Sequence, residues 1–242
     1  MGDKIKNHKT LISILIPIMN EVESLKQTVN VILSDCSNEQ IEIIFILSPK
    51  STATASRNAS ILAQEKHHLI SVITQKYPGL GGAYAHGIEE ANGTHIIMMA
   101  SDLETDPNLV KTLIRESNQY PNHIITTTRW KGENSGFTSY GNVKKLFNLV
   151  FQKWISYWYK ADLTDYTFGF RLYPSDAIKK IKWDQTNFAF LLESILVPIV
   201  RGFKVIEVPH LWFPRQEAKS SNQKSFYIDY FRTALKVRKL KK

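Results

Sequence analysis

A doubly wound α/β domain with a mostly parallel sheet is the fold this chain predicts, on three observations. Short apolar runs recur between residues 11 and 100, amphipathic stretches separate them, and each run gives way to polar or glycine-rich residues. Residues 11–17 (LISILIP) form a continuous apolar run closed by a proline, as a strand buried on both faces requires. A helix over 21–33 follows, with Val22, Leu25, Val29 and Ile32 on one stripe. Residues 41–47 (IEIIFIL) predict the second strand, 54–64 a helix, 69–74 a third strand, 81–91 a helix entered through PGLGG, and 95–100 (HIIMMA) a fourth strand. In such a sheet ligands bind beyond the carboxyl ends of the strands. Those ends are Asn20 and Glu21, residues 48–51, residues 79–82 and residues 102–106.

The second half alternates less regularly and does not order into a sheet by pattern. Its clearest element is a helix over 143–158. Val143, Leu146, Phe147, Val150, Phe151, Trp154, Ile155 and Trp158 share a stripe, with Lys144, Lys145, Asn148, Gln152, Lys153 and Ser156 largely opposite. The stripe reads as core.

The chain has 242 residues, 43% apolar and 22% charged, enough for one large core and one domain. The predicted division is a polar tail over 1–10, a domain over 11–222 and a basic amphipathic extension over 223–242. Cys36 is the single cysteine, which excludes an internal disulfide and fits a reducing compartment. No secretory signal is read in the polar opening run. The longest apolar candidate, 188–200, is broken by Glu193 and Pro198 and is shorter than the ~20 residues that span a bilayer.

The formal charge of +9 is concentrated at the end: nine Lys and Arg against two acids from 215 to 242 give +7. Phe231, Leu235, Val237 and Leu240 are interleaved with Arg232, Lys236, Arg238 and Lys239. This pattern fits peripheral contact with an anionic membrane surface; a solvated tail is the other reading. Nucleic acid is not expected, since no nucleic-acid motif accompanies the charge.

The chemistry is read first in MMASDLETDP, residues 98–107, where three carboxylates follow a buried strand. Asp106 is expected to cap a helix beginning at Pro107. Asp102 and Glu104, two apart, can aim at one hard cation whose oxygen shell a diphosphate and water complete.

In its motifs the chain resembles glycosyltransferase family 2, within it the polyprenyl-phosphate branch that includes dolichol-phosphate mannose synthase. The stretches that carry this are SILIPIMNEVESL (13–25), GLGGAYAHGIEEANGTHIIMMASDLETDP (79–107), TDYTFGFRLYP (164–174), and FLLESI and VIEVPHLWFPR beyond. The resemblance implies the GT-A (Rossmann-like) fold, a nucleotide-sugar donor, Mg²⁺ or Mn²⁺, and inversion at the anomeric carbon. It implies donor contacts from Pro17, Asn20, Glu21, Ser48, Lys50, Gly79 and Gly81. Met19 stands where an aromatic residue is common, and residues 47–51 replace an Asp pair that reads the nucleotide, so Lys50 is expected to meet the donor instead.

Aligned on the acidic motif, Ala100 replaces its first Asp, and the metal rests on Asp102 and Glu104. Arg129 matches an arginine that meets an acceptor phosphate, with Lys144 or Lys145 assisting. Arg215 matches one that reaches the donor diphosphate, and Lys219 or Lys224 replaces a lysine of the same loop. Asp165 and Glu193 fall on the acceptor side and are general-base candidates if the acceptor is a hydroxyl. For Glu193, pairing with Arg201 or Arg171 is the structural alternative.

The sequence thus predicts an inverting, metal-dependent glycosyltransferase acting on a lipid phosphate at the cytoplasmic face of a membrane, beside a membrane-protein partner. Transfer to a hydroxyl of a glycan, polymer or glycolipid, and a catalytically inactive binding module, are the alternatives.

Overall fold

The computed structural model describes residues 10–138, 141–214 and 226–240. The first half runs β1 (Leu11–Ile18), α1 (Glu23–Asp35), β2 (Gln40–Leu47), α2 (Ala53–Glu65), β3 (Ile70–Thr74), α3 (Gly79–Glu90) and β4 (His95–Met98). The second runs α4 (Leu109–Gln119), β5 (Ile124–Thr128), β6 (Gly136–Phe137), α5 (Asn142–Tyr159), β7 (Arg171–Pro174), α6 (Ser175–Ile178), α7 (Phe190–Val200), β8 (Val205–Pro209), β9 (Leu211–Trp212) and α8 (Phe226–Arg238). A seven-stranded sheet has the order β3-β2-β1-β4-β7-β5-β8, and β6 pairs with β9 in a separate ribbon. β7 is antiparallel to both its neighbours, β4 and β5, while every other pairing of the large sheet is parallel.

Strand alternation sends the apolar runs to two cores, one on each face of the sheet. Ile14, Ile16, Ile43, Phe45 and Ile97 pack with Leu25, Val29, Leu62 and Leu113 from α1, α2 and α4. Leu15, Ile44, Ile46, Ile96 and Met98 pack with Tyr84, Phe190, Ile195 and Val237 from α3, α7 and α8. Burying each such side chain contributes about 1.5–3 kcal/mol. The first four predicted strands and three helices all form, with ends shifted by a few residues. α3 begins at Gly79, whose φ of 75° is left-handed and whose added Cβ would collide with the Thr186 carbonyl oxygen.

One expectation is reversed. Val143, Leu146, Phe147 and Val150 of α5 are 58–70% exposed, whereas the helix buries Gln152, Ile155 and Tyr159. Gln152 goes inward because its amide is fully used: Nε2 donates to Thr167 Oγ1 (2.8 Å) and Oε1 accepts from the Tyr166 amide (2.8 Å). The predicted stripe therefore is not core along its first two turns. α8 also departs from a free extension. Thr233, Ala234 and Val237 are buried, and the Tyr159 hydroxyl donates to the Ala234 carbonyl (2.6 Å), while Ile228, Phe231 and Leu235 face outward. Among the described residues no helix is long and apolar enough to cross a membrane.

Candidate functional site

A cavity of about 1800 Å³ opens beyond the carboxyl ends of β1, β2 and β4, where a doubly wound sheet presents its crevice. Pro17, Asn20, Glu21, Ser48, Lys50 and Gly79 line one end, Asp102, Glu104 and Arg129 its floor, and α5 and α8 its mouth. Gly81 does not line it. A Cβ there would collide with the Gln185 carbonyl and lie 2.7 Å from Phe190 Cβ, so this glycine permits α3 to approach α7.

At the first end, the turns after β1 and β2 are tied by their own polar groups. Glu21 accepts the amides of Met19 (2.7 Å) and Asn20 (2.9 Å), which fixes the bend into α1. Ser51 Oγ donates to the Ile18 carbonyl (2.7 Å) and accepts from the Ser48 amide (2.9 Å), joining the two strand ends. Ser48 Oγ accepts the Lys50 amide (3.1 Å) and leaves the exposed Lys50 side chain at the cavity rim. These contacts tie the ends of β1 and β2 together beside the cavity.

The acidic turn is held in an unusual conformation. Asp102 is 2% exposed and its Oδ1 accepts the Glu104 amide (3.1 Å). Between them Leu103 has φ 61°, a left-handed conformation that costs a non-glycine residue of order 1–3 kcal/mol and persists only where its surroundings enforce it. His210, 1% exposed, is one such support. Its Nε2 lies 3.0 Å from the Glu104 carbonyl, which can only accept, so Nε2 carries the proton. Its ring stacks on Phe168 at 5.0 Å, and burial lowers its pKa, keeping it neutral. Asp106 sits just before α4 as expected, but its Oδ1 accepts the Asn108 amide (3.0 Å) and the helix begins at Leu109, two residues beyond Pro107. Tyr84 donates to the Met99 carbonyl (3.1 Å); burial, then the Asp102 charge, push its pKa far up, so it stays a phenol.

Arg129, which follows β5, is buried. Its Nε and Nη2 make a two-pronged contact with Asp165 (2.7 and 2.9 Å), and its guanidinium lies over the Phe168 and Phe137 rings at 4.6 and 5.2 Å. Asp165 is fully buried and does not line the cavity. Burial alone raises its pKa, but the Arg129 charge and hydrogen bonds, then Arg171, bring it below the usual carboxylate range. An ionised carboxylate engaged in this way is poorly placed to take a proton from an acceptor hydroxyl. Arg171, on β7, is also fully buried and donates to the Tyr166 carbonyl (2.8 Å), the Leu191 carbonyl (2.6 Å) and Thr126 Oγ1 (3.0 Å). Glu207 accepts the Thr164 and Asp165 amides (2.8 and 3.1 Å), fixing the loop that presents Asp165.

Glu193 departs from its predicted place. It does not line the cavity and pairs with neither Arg201 nor Arg171; its carboxylate accepts the Asp184 (3.1 Å) and Gln185 (2.9 Å) amides, and burial raises its pKa. It braces the turn leading to Asn187 and Phe188, which line the cavity. Lys144 lines the mouth; Arg215, Lys219 and Lys224 lie outside the described residues. Sequence reasoning missed His210, Gln152 and Glu207. The first had a signal, a histidine just past an apolar strand in VPHLW; Gln152 fell on the side opposite the apolar stripe, and Glu207 in VIEVP carried no local signal.

Among the described residues no group of three or more His, Cys, Asp or Glu is placed to hold a metal. Asp102 and Glu104 both line the cavity, and a pair of carboxylates is a donor set of the kind that a hard cation such as Mg²⁺ or Mn²⁺ takes, its shell completed by substrate phosphates and water.

Comparison with known proteins gives the following. The family model described as Glycosyl transferase family 2 matches residues 13–182. Undecaprenyl-phosphate 4-deoxy-4-formamido-L-arabinose transferase of Photorhabdus laumondii is 26% identical over 144 residues, 59% of this chain and 43% of the relative. The Proteus mirabilis protein of the same name is 24% identical over the same share. The chain thus spans less than half the length of these relatives. Glucosyl-3-phosphoglycerate synthase from Mycobacterium tuberculosis, solved with Mn²⁺, UDP and phosphoglyceric acid, superposes with a TM-score of 0.74 over 96% of this chain and 80% of that one, at 13% identity. The same enzyme solved with Mg²⁺ and UDP also gives 0.74. At that identity the likeness is one of fold.

Proposed function

The chain belongs to glycosyl transferase family 2, and from that premise we propose that it moves a sugar from a nucleoside diphosphate to a polyprenyl-phosphate-type lipid, inverting the anomeric carbon. One observation carries the acceptor class: a single cavity joins an acidic turn and a buried arginine to an apolar wall from α5 and α8. An acceptor with an anionic head and a long apolar body matches those two surfaces. The undecaprenyl-phosphate named for the relatives supports the same class.

In this reading Pro17, Asn20, Glu21, Ser48, Lys50 and Gly79 frame the nucleotide, with Lys50 meeting base or phosphate. Asp102 and Glu104 bind Mg²⁺ or Mn²⁺ together with the donor diphosphate, and the neighbour's Mn²⁺ and Mg²⁺ complexes support a cation there. The bound cation supplies charge compensation for the leaving diphosphate. Arg129, aimed by Asp165 and the Phe168 face, orients the acceptor phosphate. Its oxygen attacks the anomeric carbon as the carbon–oxygen bond to the diphosphate breaks, and the electron pair leaves on that oxygen. A phosphate nucleophile is already an anion, so no proton is taken. That agrees with Asp165 and Glu193 being engaged elsewhere, and it disfavours hydroxyl transfer, for which they were the base candidates. Arg215 and Lys219 keep their proposed roles at the diphosphate. The protein is proposed to work peripherally at the cytoplasmic membrane face.

The donor half is tested by thermal unfolding with UDP, GDP, CDP, ADP and dTDP, with and without Mn²⁺. A ligand at a hundredfold its dissociation constant adds roughly 2.7 kcal/mol, or several degrees at about 2–4 °C per kcal/mol. A metal-dependent shift with one nucleotide is expected; no shift with any nucleotide contradicts the reading.

A further inference from the structure

We propose that the outward faces of α5 and α8 form one surface that docks on an anionic lipid bilayer, with the cavity mouth turned toward the headgroups. The inference rests on the lipid-phosphate reading only for why the cavity opens there.

The first support is the exposed apolar surface. Val143, Leu146, Phe147 and Val150 recur at helical spacing along α5 with most of their area in solvent. On α8, Ile228, Phe231 and Leu235 recur at helical spacing with about half of their area in solvent. The two helices touch beside these stripes: the Phe231 ring is 5.3 Å from Phe151 and 5.1 Å from Trp154, half-buried residues of α5 one turn beyond Phe147 and Val150. A joined patch of this kind on a folded domain marks an interaction site.

Charge selects the occupant. α5 carries Lys144, Lys145 and Lys153 and no acid. α8 carries Arg232, Lys236 and Arg238 and one acid, Asp229, which accepts a hydrogen bond from Asn187 Nδ2 (2.7 Å). Lys236 pairs with Asp184 (2.7 Å) and Arg238 lies over the Trp158 and Tyr159 rings, so the positive rim rests on Arg232 of α8 and the three lysines of α5. By helical spacing Lys153 borders Val150, and Arg232 lies between Ile228 and Leu235. A second copy would bring the same positive charge against this rim, whereas an anionic leaflet complements it, with the apolar stripes at the acyl boundary. The third support is continuity with the site: Phe147, Val150 and Phe231 also line the cavity, so docking leaves the site open to the leaflet. A lipid phosphate then reaches Arg129 while its chain stays in an apolar medium.

The test is co-sedimentation of the full chain with vesicles of phosphatidylglycerol and phosphatidylcholine, against pure phosphatidylcholine. A Leu146→Ser, Ile228→Ser, Leu235→Ser variant keeps the basic tail and touches no residue lining the cavity. Wild type is expected to bind the anionic vesicles, and the variant roughly tenfold or more weaker, with unchanged thermal midpoint and unchanged metal-dependent nucleotide binding. Binding equal to wild type overturns the proposal and assigns any vesicle affinity to the tail. Wild-type failure to sediment overturns it too, as does a variant that turns a dimer into a monomer without changing vesicle binding. Transfer to a water-soluble short-chain prenyl phosphate, measured without vesicles, separates the two readings. Docking with no transfer defeats the acceptor assignment alone, and transfer without docking defeats this surface alone.

Discussion

In β1 to β4 the apolar residues go where their periodicity sends them; in α5 and the outer face of α8 an equally regular pattern goes to the surface. Ile14, Leu15 and Ile16 are fully buried between helices on both faces of the sheet, whereas Phe147, with the same apolar spacing around it, is 68% exposed. Periodicity states that a face prefers an apolar surrounding, and does not state whether that surrounding is protein or something brought from outside. The polar residue at the interface contributes here: Gln152 finds Thr167 and Tyr166 across it, so α5 packs through Gln152, Ile155 and Tyr159 and leaves the apolar residues of its first turns outside.

Substitutions sharpen this contrast in order of size. Asp165→Ala strips the partner from buried Arg129 and is expected to cost about 3–5 kcal/mol, read from urea unfolding. Leu15→Ala, in the first region, is expected to cost about 2–5 kcal/mol by the same assay. Asp102→Asn is expected to leave stability near wild type and reduce transfer roughly 100- to 1000-fold, with a raised requirement for Mn²⁺; full turnover at low metal breaks the metal assignment. Leu146→Ser, in the second region, is expected to change stability by no more than about 0.5 kcal/mol. A loss as large as that of Leu15→Ala would return the stripe to the core.

Acid sensitivity separates two of the buried carboxylates, Asp165 and Glu193. Burial raises the Asp165 pKa, but Arg129 and Arg171 leave it below its unfolded value, so its stabilisation is present above the ordinary carboxylate range and lost as pH falls through the depressed folded value. Asp165→Asn should flatten that acid limb. Glu193 has a folded pKa raised by burial, so its contribution is fullest below the unfolded pKa and declines as pH rises through the folded one. Glu193→Gln should remove that decline, as seen in urea midpoints across pH.

The alternating half was legible because each strand and helix there is a local pattern, and because strand ends in a parallel sheet form the crevice whatever the loops do. That logic located Asn20, Ser48, Lys50, Gly79, Asp102 and Glu104 in one cavity. It failed where pairing is distant. β7 enters antiparallel between β4 and β5, setting Ile97 opposite Leu172, and nothing local to 171–174 announces it. His210 supports Glu104 from 106 positions away. Gly81 was misread because a glycine after a strand suits both a phosphate turn and close helix packing, and the clash that an added Cβ would make with Gln185 and Phe190 decides for packing. Glu193 was misread because its partners are backbone amides, which carry no sequence signal.

The most direct test of the acceptor assignment is transfer from the nucleotide sugar that stabilises the protein, offered a short-chain prenyl phosphate and the matching prenol in parallel, with Mn²⁺ and with chelator. Metal-dependent glycosylation of the phosphate alone, retained in Glu193→Gln and lost in Arg129→Ala, is the predicted result. Glycosylation of the prenol, or transfer to the phosphate unaffected by Arg129→Ala, would contradict it.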